Sequence, residues 1–320
     1  MYIYGHSSSD AIAQQPGIKT NNSYTIEWMP QLKDLGVYID KYQVGDNATA
    51  YLYMTSTDKY LVNITGSGAT YDTYTSQTHP GWYETYGNKV TEVLIDDTIT
   101  TVGNYLFYGH SALEKVTFGS GLTRIGDYAF ANCTAFEAQD AEWNCPVTEF
   151  GSFAFANCSI KKAGVPATIT KLGSGVFSGN PVEQISYRAT AAAAHTADVV
   201  PFSGLADSVD TTITIADSVT SIPTFMFYKA EVEKINIGTG VASIGEAAFS
   251  GSKTAEVAIP NGNAAYRVNA DGNLYTADNL TIVAYLGNHQ DAAYTLATGV
   301  NTIAAGAFYG HCLLYTSDAA

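Results

Sequence analysis

The feature that most constrains this chain is a phenylalanine that returns at intervals of 22 to 25 residues. Phe107, Phe130, Phe155, Phe177, Phe202, Phe227, Phe249 and Phe308 are separated by steps of 23, 25, 22, 25, 25, 22 and 59 residues. The string IGDYAFANC at 125–133 recurs almost unchanged as FGSFAFANC at 150–158. Other apolar columns keep step with it. Five positions before the Phe stand Val102, Ile125, Phe150, Leu172, Ile222, Ile244 and Ile303; eight before it stand Ile99, Leu122, Val147, Ile169, Val219, Val241 and Val300. Twelve before it come Ile95, Phe118, Trp143, Val165, Ile215, Ile237 and Leu296. Glycine falls four before it at 103, 126, 151, 173 and 245. The copy at Phe202 keeps PFSG and loses most other columns.

A unit this short cannot bury its apolar side alone, but copies stacked at fixed spacing bury one another. Alternation in V-T-F and I-N-I predicts one strand per round, and V-A-S-I and L-T-R-I predict a second. The Gly-to-Phe segment, as in GDYAF, predicts a short helical or 3₁₀ turn. Stacking at the strand spacing of about 4.8 Å turns each column into a ladder of like residues.

Composition excludes some partners. With 15 Lys+Arg against 30 Asp+Glu and a net charge of −15, the chain lacks the basic face that nucleic acid or an anionic membrane requires. No run of eighteen apolar residues is present, so no membrane insertion is expected within it. The opening MYIYGHSSSDAIAQQ lacks the basic and apolar regions of a signal peptide. The closing CLLYTSDAA reads as the translation of a transposase adapter, so 312–320 is expected to be a sequencing-library scar. A signal peptide and an anchor are then expected to lie outside this fragment.

The phrases VTEVLIDDTITTVGNYLF, LEKVTFGSGLTRIGDYAFANC and VEKINIGTGVASIGEAAFSG resemble the BspA-type leucine-rich repeat family of bacterial surface proteins. The resemblance covers roughly residues 59–311 and implies a right-handed leucine-rich-repeat solenoid of about eight rounds, mainly β with short helical or 3₁₀ turns. The stretch 59–87, with Pro80 and Trp82, resembles the lead-in to the first repeat. The solenoid is expected over 88–311, with a hairpin insertion at about 260–290 that explains the long step, and Asp271-Gly272 as its turn. Residues 1–58 read as a small β-rich region of no named type. The resemblance implies adhesion: a cell-surface or secreted module that binds a host matrix or microbial surface protein or glycoprotein. The competing reading is a non-catalytic accessory region of a larger secreted enzyme; a surface-layer spacer is a third.

Candidate chemistry is sparse. His110, Cys133 and Cys158 share the position three past the Phe, but a ladder offers one ligand per rung where zinc needs four converging, so packing is the expected role and a disulfide the next. GSGLTRIG and GTGVASIG fit no phosphate-loop pattern, and a turn requiring positive φ is expected to explain their glycines. SIKK at 159–162 and NADGN at 269–273 are chance matches to catalytic and calcium motifs. No cofactor, metal or catalytic residue is expected. Fifteen before the Phe stand Glu92, Lys115, Asp140 and Lys162, alternating in sign, and later Lys234. This reads as a register-setting ladder on an exposed sheet, or, with Thr117, Glu142, Thr214 and Asn236 beside it, as a partner-binding face.

Overall fold

The computed structural model describes residues 35–137, 143, 145–206, 210–230, 232–252, 254, 256–260, 262–286 and 294–309, with the backbone of two paired short strands, Ile18–Thr20 and Tyr24–Ile26. Asp140, Glu142, His311 and the segment 312–320 lie outside the described residues.

Among the described residues the rounds contribute short strands to two parallel columns. The first-strand column runs through Lys59–Gly66, Val90–Ile95 and Lys115–Thr117. It continues as Lys162–Val165, Gln184–Tyr187, Thr212–Ile215, Lys234–Asn236 and Glu256–Ala258. The second-strand column pairs Gly68–Ala69, Ile99–Val102, Arg124–Ile125, Glu149–Phe150 and Lys171–Leu172, and resumes with Ser221–Ile222 beside Ser243–Ile244. Register follows the sequence columns: Ile125 lies opposite Val102 and Phe150, and Ile213 opposite Ile185 and Ile235. Like residues therefore stack, and the fold is a leucine-rich-repeat solenoid. The column breaks at the round that also breaks the pattern in sequence, around 188–200.

Upstream, Val37–Gln43 and Ala48–Ser56 pair antiparallel with each other, and Ala48–Ser56 with Lys59–Gly66. They extend the same sheet as the first round. The boundary expected at 58/59 falls at the tight turn of this hairpin, where Asp58 takes φ 57°.

Inside, the phenylalanine rings stack. Phe107 and Phe130 are 5.3 Å apart and 12° from parallel, Phe130 and Phe155 5.5 Å and 2°, Phe155 and Phe177 6.0 Å and 15°. Phe202, Phe227 and Phe249 form a second run at 5.2 and 5.5 Å. Across the degenerate round the core is carried by Tyr187, fully buried and edge-on to Phe202 at 6.4 Å and to Phe227 at 5.4 Å. Phe308 is placed differently from the others. It lies 5.1 Å from Tyr285, whose backbone N–H donates to the Ala307 carbonyl as Phe227 donates to Ala248. The insertion thus supplies a ring to the ladder.

The Gly-to-Phe segments close as successive i→i+3 turns, such as Tyr108 N–H to Tyr105 carbonyl and His110 N–H to Phe107 carbonyl. They do not join into a helix among the described residues, because left-handed residues flank the Phe in most rounds; at Phe202 only Gly204, on the following side, is left-handed. Two before it, Tyr105, Tyr128, Phe153, Gly175, Phe225, Ala247 and Gly306 have φ between 51° and 72°. Two after it, Gly109, Asn132, Asn157, Gly179, Gly204, Lys229 and Gly251 have φ between 53° and 73°. Such a conformation costs a side-chain-bearing residue roughly 1–2 kcal/mol. The aromatic members recover part of it by stacking on one another: Tyr105 on Tyr128 at 4.7 Å and Tyr128 on Phe153 at 5.0 Å.

One expectation about glycine is corrected. Gly119, Gly121, Gly238 and Gly240 are not among the residues with positive φ. A Cβ at these positions would instead run into the carbonyl oxygens of Asp96, Asp97, Ala216 and Asp217 in the preceding round. Close approach, not a special turn, demands them. The same holds four before the Phe, where a Cβ on Gly173 would strike the backbone of Gly151 and Ser152.

In the insertion, Tyr266–Val268, Leu274–Thr276 and Thr281–Ala284 form an antiparallel meander, and the last pairs in parallel with Thr302–Ile303. Gly272, at φ 78°, makes its first turn with an N–H donated to the Asn269 carbonyl.

Two consequences are measurable. Truncating Phe130 to Ala opens a fully buried gap between two stacked rings and should cost about 3–5 kcal/mol in denaturant unfolding, whereas Thr214→Ala, on an exposed strand face, should stay within about 0.5 kcal/mol. Gly173→Ala should destabilise by about 2 kcal/mol or more through forced separation of two rounds, while Lys229→Gly, which relieves a left-handed residue, should be neutral or stabilising.

Candidate functional surface

Outward side chains follow the same register as the core, so each exposed column is also a row. In the first-strand sheet Glu92 lies opposite Lys115, and their side chains meet at 2.7 Å. Thr117, two residues on, is exposed beside Leu94 on the same face. Lys162, Gln184, Thr212, Lys234 and Glu256 make the corresponding row farther along, and Lys234 meets Glu256 at 2.7 Å. Thr214 and Asn236 sit side by side in the next row, the Asn236 amide donating to the Thr214 hydroxyl at 3.4 Å. The structure therefore gathers the sequence-derived candidates into two groups: Glu92, Lys115 and Thr117, and then Lys162, Thr214 and Asn236. Asp140 and Glu142 belong by sequence to the interval between them, outside the described residues.

A second charged row was not anticipated. In the second-strand sheet Arg124 donates to both carboxylate oxygens of Asp72 at 2.9 and 3.0 Å, and to the Asn104 side-chain oxygen at 3.1 Å. Glu149 approaches Arg124 at 3.6 Å and Lys171 at 2.8 Å. The signal lay in the column six before the Phe, where Arg124, Glu149 and Lys171 alternate in sign on successive rounds. Arg124 is held more firmly protonated than usual: burial opposes the charge, but Asp72, Glu149 and Asp127 together outweigh it.

Next to this row runs a relay of side-chain acceptors, three before the Phe. Asp72 accepts the backbone N–H of Asn104, Asn104 that of Asp127, Asp127 that of Ser152, and Ser152 that of Ser174, at 2.7 to 3.2 Å. Ser174 accepts from Val200 N–H at 3.2 Å and so carries the relay into the degenerate round. Each step satisfies a donor that the parallel ladder leaves open at a turn.

The column three past the Phe is internal. Cys133 and Cys158 are free thiols whose Sγ atoms donate to the Phe107 and Phe130 carbonyls, each at 3.2 Å. Burial pushes both thiols up, Cys158 to about 12, so neither is a ready thiolate. Asn180 takes the same role one round later, donating to the Phe155 carbonyl at 2.7 Å. His110 Nε2 is occupied by the Trp82 indole N–H at 2.8 Å. Among the described residues no three His, Cys, Asp or Glu side chains converge as a metal site would need, and no helix is long and apolar enough to cross a membrane.

In the insertion, Asp271 accepts from the Tyr275 hydroxyl at 2.6 Å, the Tyr294 hydroxyl at 2.5 Å and the Asn273 backbone N–H at 3.1 Å. These donors hold its carboxyl below the ordinary carboxylate range although burial works the other way. The motif NADGN is thus a clasped hairpin turn that ties Tyr294 to the insertion.

Repeats with this register, spacing and Gly-to-Phe turn have a counterpart among known families. The family model described as the BspA type leucine-rich repeat region matches residues 83–190 and 206–317, in six copies. This chain belongs to that family. Comparison with curated proteins gives no match. Among solved structures it is similar to a leucine-rich repeat protein from Eubacterium ventriosum, with 21% identity over 86% of this chain and a TM-score of 0.46. It is also similar to a leucine-rich cell surface protein from Faecalibacterium prausnitzii, with 21% identity over 85% of this chain and a TM-score of 0.42. The chain spans 58% of the length of the first and 68% of the second.

The two charged rows should differ in strength. Double-mutant cycles are expected to give under about 0.5 kcal/mol for Glu92 with Lys115, and up to about 1 kcal/mol for Asp72 with the less exposed Arg124, whose Nη1 reaches both carboxylate oxygens, both weakening as salt is raised.

Proposed function

We propose that this BspA-type chain is a non-catalytic recognition module of a cell-surface or secreted protein. Its partner is a host matrix or microbial surface protein or glycoprotein. The observation that carries this reading is the outward face of the first-strand sheet. There, register sets oppositely charged residues and hydroxyl or amide side chains into straight rows, with Thr117, Lys162 and Thr214 exposed. Side chains on such a face are pre-ordered by the sheet, so a partner meets them with little further loss of conformational freedom. A solenoid spreads those rows over many rounds and works by recognition along its length.

The experiment is an array of matrix glycoproteins and microbial surface proteins probed with the purified chain, followed by titration of each hit. Binding in the micromolar range or tighter is expected. Charge reversal of the face by Lys115→Glu with Lys162→Glu should weaken it at least tenfold. The single reversal Lys171→Glu, on the other sheet, should not. Loss with both sets alike would place the contact elsewhere, and an empty array at tens of micromolar would overturn the reading.

A further inference from the structure

The end of the phenylalanine column that faces the lead-in is closed by a polar latch. Trp82 is fully buried and lies 6.2 Å from Phe107, where a preceding Phe would sit. Its indole N–H donates to His110 Nε2 at 2.8 Å. His110 is also fully buried, at the position where Cys133, Cys158 and Asn180 donate to the carbonyls of earlier rounds. His110 instead accepts. That requires a neutral ring with its lone pair on Nε2 and its single proton on Nδ1.

Of the groups around the ring only the Phe107 and Tyr108 carbonyls favour a second proton, and burial outweighs them. From the lead-in, Tyr83 meets it edge-on at 5.4 Å, with His79 stacked on Tyr83 at 3.8 Å. From its own round Phe107 meets it edge-on at 5.5 Å, and from the next round the Cys133 thiol lies nearby. The titratable groups facing it are therefore His79, Tyr83 and Cys133. Tyr83 and Cys133 are both pushed up by burial, so neither is an anion at neutral or acidic pH, and His79 adds repulsion.

We propose that the Trp82–His110 pair is an acid-released latch that holds residues 79–89 on the end of the solenoid at neutral pH and frees them on acidification. Protonation of Nε2 sets one N–H against another at a separation made for a hydrogen bond, and strands a buried cation. Opening the lead-in relieves both. It uncovers Trp82 and the outer face of Phe107, and separates Trp82 from Tyr42, now 5.5 Å away. Burial is the main cause that pulls His110 from 6.5 down to about 4; the Phe107 and Tyr108 carbonyls oppose it without prevailing. Because the folded value lies below the ordinary one, the opened state takes the proton first. The latch is fully closed above about pH 6.5 and loses its hold progressively down to about pH 4.

Hydrogen exchange of the whole chain, corrected for intrinsic rates, tests this at pH 7, 5.5 and 4. Protection in peptides covering 79–110 should fall by about 100-fold or more between pH 7 and pH 4, while peptides covering 212–250 hold theirs. The His110 ring signals in a labelled sample should titrate with the same midpoint as the opening. Trp82→Phe keeps an aromatic ring and drops the donor, so its midpoint should move to higher pH. Unchanged protection at 79–110, a parallel fall in both regions, or an unshifted midpoint in the variant would each overturn the latch. The wild-type exchange and ring titration decide the matter even if the variant fails to fold.

Discussion

The structure depends on one repeated contact: a phenylalanine ring lying flat on the ring of the next round at 5.2 to 6.0 Å. Each ring adds apolar burial of about 1.5–3 kcal/mol and a stacking contribution of about 0.5–1.5 kcal/mol. The spacing of the rings must match the spacing of the strands, and the rest of the round is arranged to make that possible. Glycine stands at many of the points where one round's backbone meets the carbonyls or amides of the last, as at Gly119, Gly121, Gly173, Gly238 and Gly240. Left-handed residues on both sides of the Phe turn the chain sharply enough to aim the ring inward. The relay from Asp72 to Val200 supplies acceptors for backbone donors at those turns.

Much of this was legible in the sequence because a solenoid writes its geometry as a period. The columns at five, eight and twelve before the Phe are largely the buried ones, from Val102 to Ile222, Ile99 to Val241, and Ile95 to Ile237. The same columns loosen after the insertion, where Leu296 and Ile303 are exposed. What the period did not reveal was conformation. Tyr128, Phe153 and Ala247 give no warning of positive φ, because that state is imposed by the stack and not by residue preference. Gly119 and Gly238 invited a turn explanation for the opposite reason: glycine marks closeness as readily as it marks φ. Tyr285 lies 23 residues before Phe308, on the period, but was missed as a ladder member because it is a tyrosine inside the insertion and not a phenylalanine.

The surface was legible in half. The row from Glu92 to Lys115 followed from the alignment, and the row through Arg124, Glu149 and Lys171 sat in the same alignment unread. Both follow from one rule: parallel in-register strands place equivalent residues side by side, where like charges would repel and opposite charges meet. A molecule built this way carries regular outward rows in its repeats and its irregularities in the lead-in, the degenerate round and the insertion. The lead-in that brings Trp82 against His110, and the insertion clasped by Asp271, are the two places where chemistry departs from the ladder.

The central claim is that neighbouring rings stabilise one another along a single column. A double-mutant cycle on Phe130 and Phe155, each replaced by Leu to keep volume, tests it most directly against the distant pair Phe130 and Phe227. The account predicts a favourable coupling of about 0.5–1.5 kcal/mol for the first pair and none beyond error for the second. Equal couplings for the two pairs would contradict it.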